Sequence, residues 1–151
     1  MRTTEASTTA MFAAIARGQH RQRHPGPWVL DDPFSLPLVG PSWRAILERL
    51  EAVFPPPLTD EAIAAVSARS RYVEDRLAEG SFAQYVILGA GLDSFAWRRP
   101  DVLHAVRVFE VDHAASQAYK RERSAALGLP SHDRHLFASA DLETESLGAA
   151  L

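Results

Sequence analysis

Apolar residues recur every three or four positions along the first half of the chain and gather into short unbroken runs along the second, so the two halves predict different elements. Thr9 to Arg17 carries Met11, Phe12, Ile15 and Ala16 at helical spacing, and Gly18 predicts the end of that helix. A breaker-rich loop follows through His24 to Pro27 and Asp31-Asp32-Pro33, with Trp28, Val29 and Leu30 apolar enough to tuck it against a body. Pro41 to Phe54 aligns Trp43, Ile46, Leu47, Leu50 and Phe54 on one face, and Pro55 to Pro57 stops it. Thr59 is placed to cap the next helix, with Asp60 and Glu61 facing the positive end of its dipole. Ile63, Val66, Val73 and Leu77 form the inner face of that helix, which ends near Gly80.

From residue 84 the rhythm becomes strand, turn and helix. Gln84 to Leu88, Val106 to Val111 and His135 to Ser139 read as buried strands, and Ala114 to Leu127 as a helix between the last two, closed by Gly128 and Pro130. Strands separated by helical crossovers predict a parallel sheet, hence an α/β chain with a helical N-terminal region.

Composition narrows the function classes. With 151 residues, 46% hydrophobic and 23% charged, the chain suits one soluble globular core. A net charge of −3 with scattered arginines lacks the footprint of a nucleic-acid binder. There is no apolar run of membrane-spanning length, and the lack of cysteine suits a reducing cytoplasm. Met1 to Arg23 has the Ser, Thr and Arg content of a transit peptide, but it contains Glu5 and reads better as a first amphipathic helix. Lys120 is the only lysine. His20 with His24 and His132 with His135 have metal-compatible spacing, yet no carboxylate or cysteine accompanies them, so no metal is expected. Trp28, Trp43 and Trp97 read as packing residues.

Candidate chemistry centres on Tyr85-Val-Ile-Leu-Gly-Ala-Gly-Leu-Asp-Ser94. Gly89 and Gly91, without a Cβ, permit a tight turn at the strand end and close approach of a bulky ligand to the backbone. Glu110 and Asp112 close the second apolar run about 20 residues later, where a carboxylate suits ribose hydroxyls, with Asp112 preferred and Glu110, of the same parity, second. The dinucleotide fingerprint asks for a third glycine where this chain has Ser94, which counts against a nicotinamide cofactor. Glycines alone are equally a βα turn with no ligand.

The motifs Val86-Ile-Leu-Gly-Ala-Gly-Leu-Asp-Ser-Phe-Ala-Trp-Arg98 and Val108-Phe-Glu-Val-Asp-His113 closely resemble two motifs of the leucine carboxyl methyltransferase-like family of S-adenosyl-L-methionine (SAM) enzymes, which includes bacterial polyketide-type O-methyltransferases. The resemblance continues in Leu30-Asp-Asp-Pro33, Ala68-Arg-Ser-Arg-Tyr-Val-Glu-Asp75 and Ala140-Asp-Leu142, and so covers nearly the whole chain. It implies a Rossmann-like SAM-methyltransferase fold, with an N-terminal helical cap over residues 1–80 and a partial parallel sheet, the first half of the SAM-binding domain, over 81–151. Family members run on for roughly another hundred residues, a complete doubly wound domain, so the chain reads as truncated at Leu151.

The same resemblance implies the site. Gly89, Ala90 and Gly91 would pass beneath the methionyl part of SAM, Asp112 would hold the ribose diol, and Asp141 with Leu142 would meet the adenine. Arg69 matches the arginine that holds the cofactor carboxylate, with Arg71 as its alternative and an Arg71–Asp75 surface ion pair as the bland reading. Arg17 resembles a basic cap residue at the same end, and Asp93 with Arg98 is expected to lock the loop. The implied reaction transfers a methyl group to a carboxylate or hydroxyl of a small molecule or protein; no catalytic residue is assigned. An alternative is a truncated or divided, non-catalytic SAM-binding half. In the class I order the first strand is central, so one side of Tyr85 to Leu88 would be left for a second copy or a complementing chain to pair with.

Overall fold

The computed structural model describes residues 7–53, 58–142 and 144–150, without the side chains of Leu50, Val53, Ala149 and Ala150. Phe54, the Pro55–Pro57 stop and Glu5 therefore lie outside the described residues, as does the side chain of Leu50. The element order is α1 (Thr8–Arg23), α2 (Ser35–Val39), α3 (Trp43–Val53), α4 (Asp60–Glu79), β1 (Gln84–Leu88), α5 (Phe95–Arg98), a 3₁₀ turn at Val102–His104, β2 (Arg107–Asp112), α6 (Ala114–Ala126), β3 (His135–Ser139) and α7 (Leu147–Ala150).

The three strands form one parallel sheet in the order β1-β2-β3, with Val86 opposite Phe109 and Glu110 opposite Phe137. This is the α/β, Rossmann-like arrangement that the alternation of strands and helices predicts. Among the described residues β1 pairs only with β2, so its other side carries unpaired backbone groups, and Leu88 at its end is 54% exposed.

Helices α1 to α4 pack around Met11, Ile15, Leu36, Val39, Leu58 and Ile63, joined by Leu92 from the loop after β1. Trp43, Ile46 and Leu47 on α3 close this cluster, as their spacing predicts. A second cluster of Phe95, Ala96, Leu103 and Val108 lies beneath the sheet, with Leu77 and Tyr85 against it. Leu92 in the helical core means that the glycine loop and the cap share one interior. Helix α6 adds a further tie, its Tyr119 hydroxyl donating to the Val39 carbonyl at 2.7 Å and Arg123 Nη2 to that of Pro37 at 2.7 Å.

Helix ends follow local chemistry where tertiary packing permits. Thr59 accepts from the Ala62 N–H, and Asp60 and Glu61 stand in the first turn of α4, as expected. Gly18 does not end α1, which continues to Arg23. A Cβ there would lie 2.4 Å from Leu36 Cγ, so this glycine is a contact between α1 and α2 instead of a stop.

Candidate functional site

The C-terminal ends of β1 and β2 and the inner faces of α1 and α4 enclose a cavity of about 560 Å³, within the roughly 300–1,000 Å³ range of ligand sites. Its wall includes Gly89 and Ala90 from the loop after β1, Asp112 from the end of β2, Arg17 from α1, and Arg69 and Glu74 from α4. Ligand sites in open α/β sheets occupy this end of the strands.

Both loop glycines adopt positive φ, +60° at Gly89 and +49° at Gly91, which side chains rarely tolerate. Their surroundings differ. A Cβ on Gly89 would meet nothing within 4 Å, whereas one on Gly91 would lie 2.6 Å from the Ala10 Cβ. Gly89 thus keeps backbone open toward the cavity, and Gly91 makes room for the cap helix. Of the three expected loop residues, Gly89 and Ala90 line the cavity and Gly91 supports it from behind.

Asp112 is fixed by its neighbours: Oδ2 accepts the Gly91 N–H at 2.5 Å and Oδ1 the His113 N–H at 2.6 Å. Each carboxylate oxygen has a second acceptor position, so the group retains capacity for two hydroxyls. Glu110, the second choice, is committed elsewhere. Its side chain is 1% exposed and takes Lys120 Nζ on Oε2 and His135 Nε2, at 2.7 Å, on Oε1. Strand parity puts both carboxylates on one face, but α6 covers that face at Glu110 and begins only at Ala114, leaving Asp112 beyond it.

The arginine alternatives separate as clearly. Arg71 Nε meets Asp75 Oδ1 at 2.7 Å, the ion pair that i,i+4 spacing allows, and it lies away from this cavity. Arg69 lines the cavity and, among the described residues, has no carboxylate within 4.0 Å. Tyr85 also contributes to the wall, and burial, with Asp93 and Glu74 nearby, pushes its hydroxyl above the usual value, keeping it a neutral hydrogen-bonding group.

Arg17, Glu74 and Arg98 of the wall join Asp32 and Ser94 in a buried network whose members sequence reasoning named at most singly and did not connect. Asp32, 2% exposed, accepts Ser94 Oγ at 2.7 Å, Arg17 Nε at 3.0 Å and the Ser35 hydroxyl on Oδ2, and the Phe34 and Ser35 amides on Oδ1. Arg17 also donates to the Leu92 carbonyl at 2.8 Å. Arg98 donates to Ser94 Oγ at 2.9 Å and to Glu74, with Asp32 Oδ2 at 3.7 Å. Burial alone would raise the Asp32 pKa, but Arg17, Arg98 and the two serine hydroxyls outweigh it and hold the carboxyl below its ordinary value. Arg98 is raised: burial opposes its charge, but Asp32, Glu74 and Asp93 prevail. The expected Asp93–Arg98 lock is therefore divided, with Asp93 accepting the Phe95 N–H at 2.7 Å and Arg98 turned to Glu74 and Ser94. Ser94, where a dinucleotide fingerprint has glycine, is wholly buried and links cap to loop.

Asp141 and Leu142 follow β3, next to the strand end that carries Asp112, since the Ala140 N–H donates to the Asp112 carbonyl at 3.0 Å. They are not part of the cavity wall: the Asp141 carbonyl accepts the Thr144 and Glu145 amides in a turn, and Leu142 is 44% exposed. His20 Nε2 accepts the Val29 N–H and His132 Nδ1 the Arg134 N–H. Trp28 and Trp97 donate their indole N–H groups to the His24 and Pro130 carbonyls. No helix among the described residues is long and apolar enough to cross a membrane.

Comparison with known proteins adds to this geometry. The model of a family described as leucine carboxyl methyltransferase matches residues 10–151. YktD of Bacillus subtilis (strain 168), provisionally named an S-adenosyl-L-methionine-dependent methyltransferase, is 32% identical over 87% of this chain and 51% of its own length. A similarly named protein of Frankia alni is 34% identical over 91% of this chain and 46% of its own. One from Mycobacterium tuberculosis (strain ATCC 25177 / H37Ra) is 35% identical over 83% of this chain and 44% of its own. The chain thus spans about half the length of the curated relatives it matches. These likenesses are to methyltransferases by name and do not favour the alternative of a non-catalytic half.

Proposed function

The chain belongs to the leucine carboxyl methyltransferase family, and from that premise we propose that it binds S-adenosyl-L-methionine in the cavity at the ends of β1 and β2 and supplies the donor side of an O-methyltransferase. The observation that carries this reading is the convergence of Arg69, the Gly89–Ala90 turn and Asp112, from three separate elements, on one cavity. The residues suit the cofactor's chemistry. Arg69, with no carboxylate partner among the described residues, offers a fork for the amino-acid carboxylate. The open backbone at Gly89 admits bulk without side-chain obstruction. Asp112, oriented by two amides, offers acceptors to the ribose diol. Asp141 and Leu142, beside the same strand end, are assigned to the adenine side.

When bound there, the cofactor would supply a sulfonium methyl group: an acceptor oxygen would bond to the methyl carbon as the carbon–sulfur bond opens in line, its electron pair staying on the neutral thioether that leaves. The chain's part is alignment and exclusion of water, so catalysis on this side needs no acid. The acceptor is proposed to be a carboxylate or hydroxyl of a small molecule or protein; a carboxylate attacks without a general base, whereas a weakly acidic hydroxyl requires one. Residues 1–80 act in this reading as the cap of the donor site and 81–151 as the first half of its sheet.

Calorimetric titration tests the assignment. Saturable binding of SAM but not of NAD, weakened at least about tenfold in Asp112→Ala, is the expected result. Equal binding by the variant, or preference for NAD, would overturn it.

A further inference from the structure

We infer that Asp32 is the positioning residue of the donor cavity, a buried latch that sets the cap arginine Arg17 and the glycine loop in register without itself lining the wall. The inference rests on the cofactor reading of the cavity. One carboxylate gathers donors from three segments far apart in sequence: Arg17 on α1, the first amides of α2, and Ser94 in the loop between β1 and α5. The two oxygens divide the task. Oδ1 serves the Phe34 and Ser35 amides within its own segment, whereas Oδ2, besides the Ser35 hydroxyl, takes Arg17 Nε at 3.0 Å, which ties α1 to it within the cap, and Ser94 Oγ at 2.7 Å, the bond that crosses from cap to loop.

Those two partners reach the cavity wall. Arg17 lines it and holds the Leu92 carbonyl at 2.8 Å, and Leu92 lies between Gly91 and Asp93. Ser94 passes the constraint to Arg98, also on the wall and bonded to Glu74 of α4. Charge balance points the same way. Arg17, Arg98, Asp32 and Glu74 form a buried set of two cations and two anions, so losing the Asp32 charge leaves Arg17, among the described residues, with only a carbonyl.

Asp32→Asn isolates the latch. The amide oxygen can still accept the Phe34 and Ser35 N–H groups, while its NH₂ faces Arg17 Nε and Ser94 Oγ, donor against donor for the guanidinium. Hydrogen exchange on the full chain reads the effect directly. Amides of residues 91–96 are expected to exchange at least about tenfold faster in the variant, with 34–36 unchanged. Titration supplies a second readout. Affinity for S-adenosyl-L-homocysteine, which keeps the amino-acid end, should fall about tenfold or more, while that for 5′-deoxy-5′-methylthioadenosine, which lacks it, should change less than about twofold.

Equal losses for both ligands, or unchanged exchange at 91–96, would overturn the inference and leave Asp32 a general packing residue. If the unsubstituted chain binds neither ligand, the cofactor reading fails, and exchange alone still decides the latch. If Asp32→Asn does not fold, Ser94→Ala removes one arm with the amides of α2 intact, and about threefold faster exchange at 91–96 is expected.

Discussion

Glu110→Ala would leave the only lysine of the chain buried without its counter-ion, and the cost can be worked from the structure. Lys120 and Glu110 side chains are each 1% exposed, and His135, on the other carboxylate oxygen, is 4% exposed. The remaining surroundings of the ammonium include the ring faces of Trp97 at 5.3 Å and Phe137 at 5.9 Å, which cannot replace a carboxylate. Removing one member of such a pair costs about 3–5 kcal/mol, against a total stability of about 5–15 kcal/mol for a domain. At about 2–4 °C per kcal/mol for a chain of this size, the melting temperature should fall by about 6–20 °C. Urea unfolding followed by tryptophan fluorescence should show a lower midpoint with an unchanged slope. Glu110→Met combined with Lys120→Met, which removes both charges, should recover most of the loss. A single-variant cost below about 1 kcal/mol, the worth of an exposed pair, or a double variant no better than the single, would refute the reasoning.

Gly91→Ala combines a left-handed backbone, about 1–2 kcal/mol, with overpacking against Ala10, about 1–3 kcal/mol, and should lower the denaturation midpoint accordingly; Gly89→Ala should cost only the backbone share but weaken SAM binding, because its methyl group enters open space at the cavity. Arg69→Ala should lower SAM affinity about tenfold or more in a titration with little change in stability, whereas Arg71→Ala should leave affinity alone and cost less than about 0.5 kcal/mol. Because the folded pKa of Asp32 lies below the ordinary 3.8, its stabilisation is whole above that value and is lost as pH falls through the folded pKa. The gap in urea midpoint between the unsubstituted chain and Asp32→Asn should therefore narrow as the pH is taken below 3.8.

Strands β1 and β3 and the ends of α4 were legible because each depends on neighbours in sequence: an apolar run, Thr59 as cap, Gly80 as stop. The misread features depend on distant partners. Gly18 carries a local stop signal that is overridden because Leu36 needs its missing Cβ. Helix α2 sits among Pro33 and Pro37, which read as loop, and is held by Asp32 and by burial of Leu36, Leu38 and Val39. At the cavity, the Arg71–Asp75 ion pair was legible because Asp75 stands four residues on, whereas the burial of Glu110, with Asp112 left on the cavity wall, turns on where α6 begins. Asp32 was legible only as a member of the Leu30-Asp-Asp-Pro33 motif, and its bonding was not, since two of its partners lie 15 and 62 residues away.

The contact between Gly91 and Ala10 bears on discrimination among ligands. With α1 against one face of the loop and Asp112 holding its amide, the loop's shape is settled when the chain folds, and a ligand that fits need not supply the entropy of ordering it. The same stiffness denies accommodation to a ligand of different outline, because moving the loop means dislodging a helix whose Met11, Ala14 and Ile15 are buried in the core. Selectivity at this end of the cavity is thus written into the packing of the N-terminal helix as much as into the groups that touch the ligand.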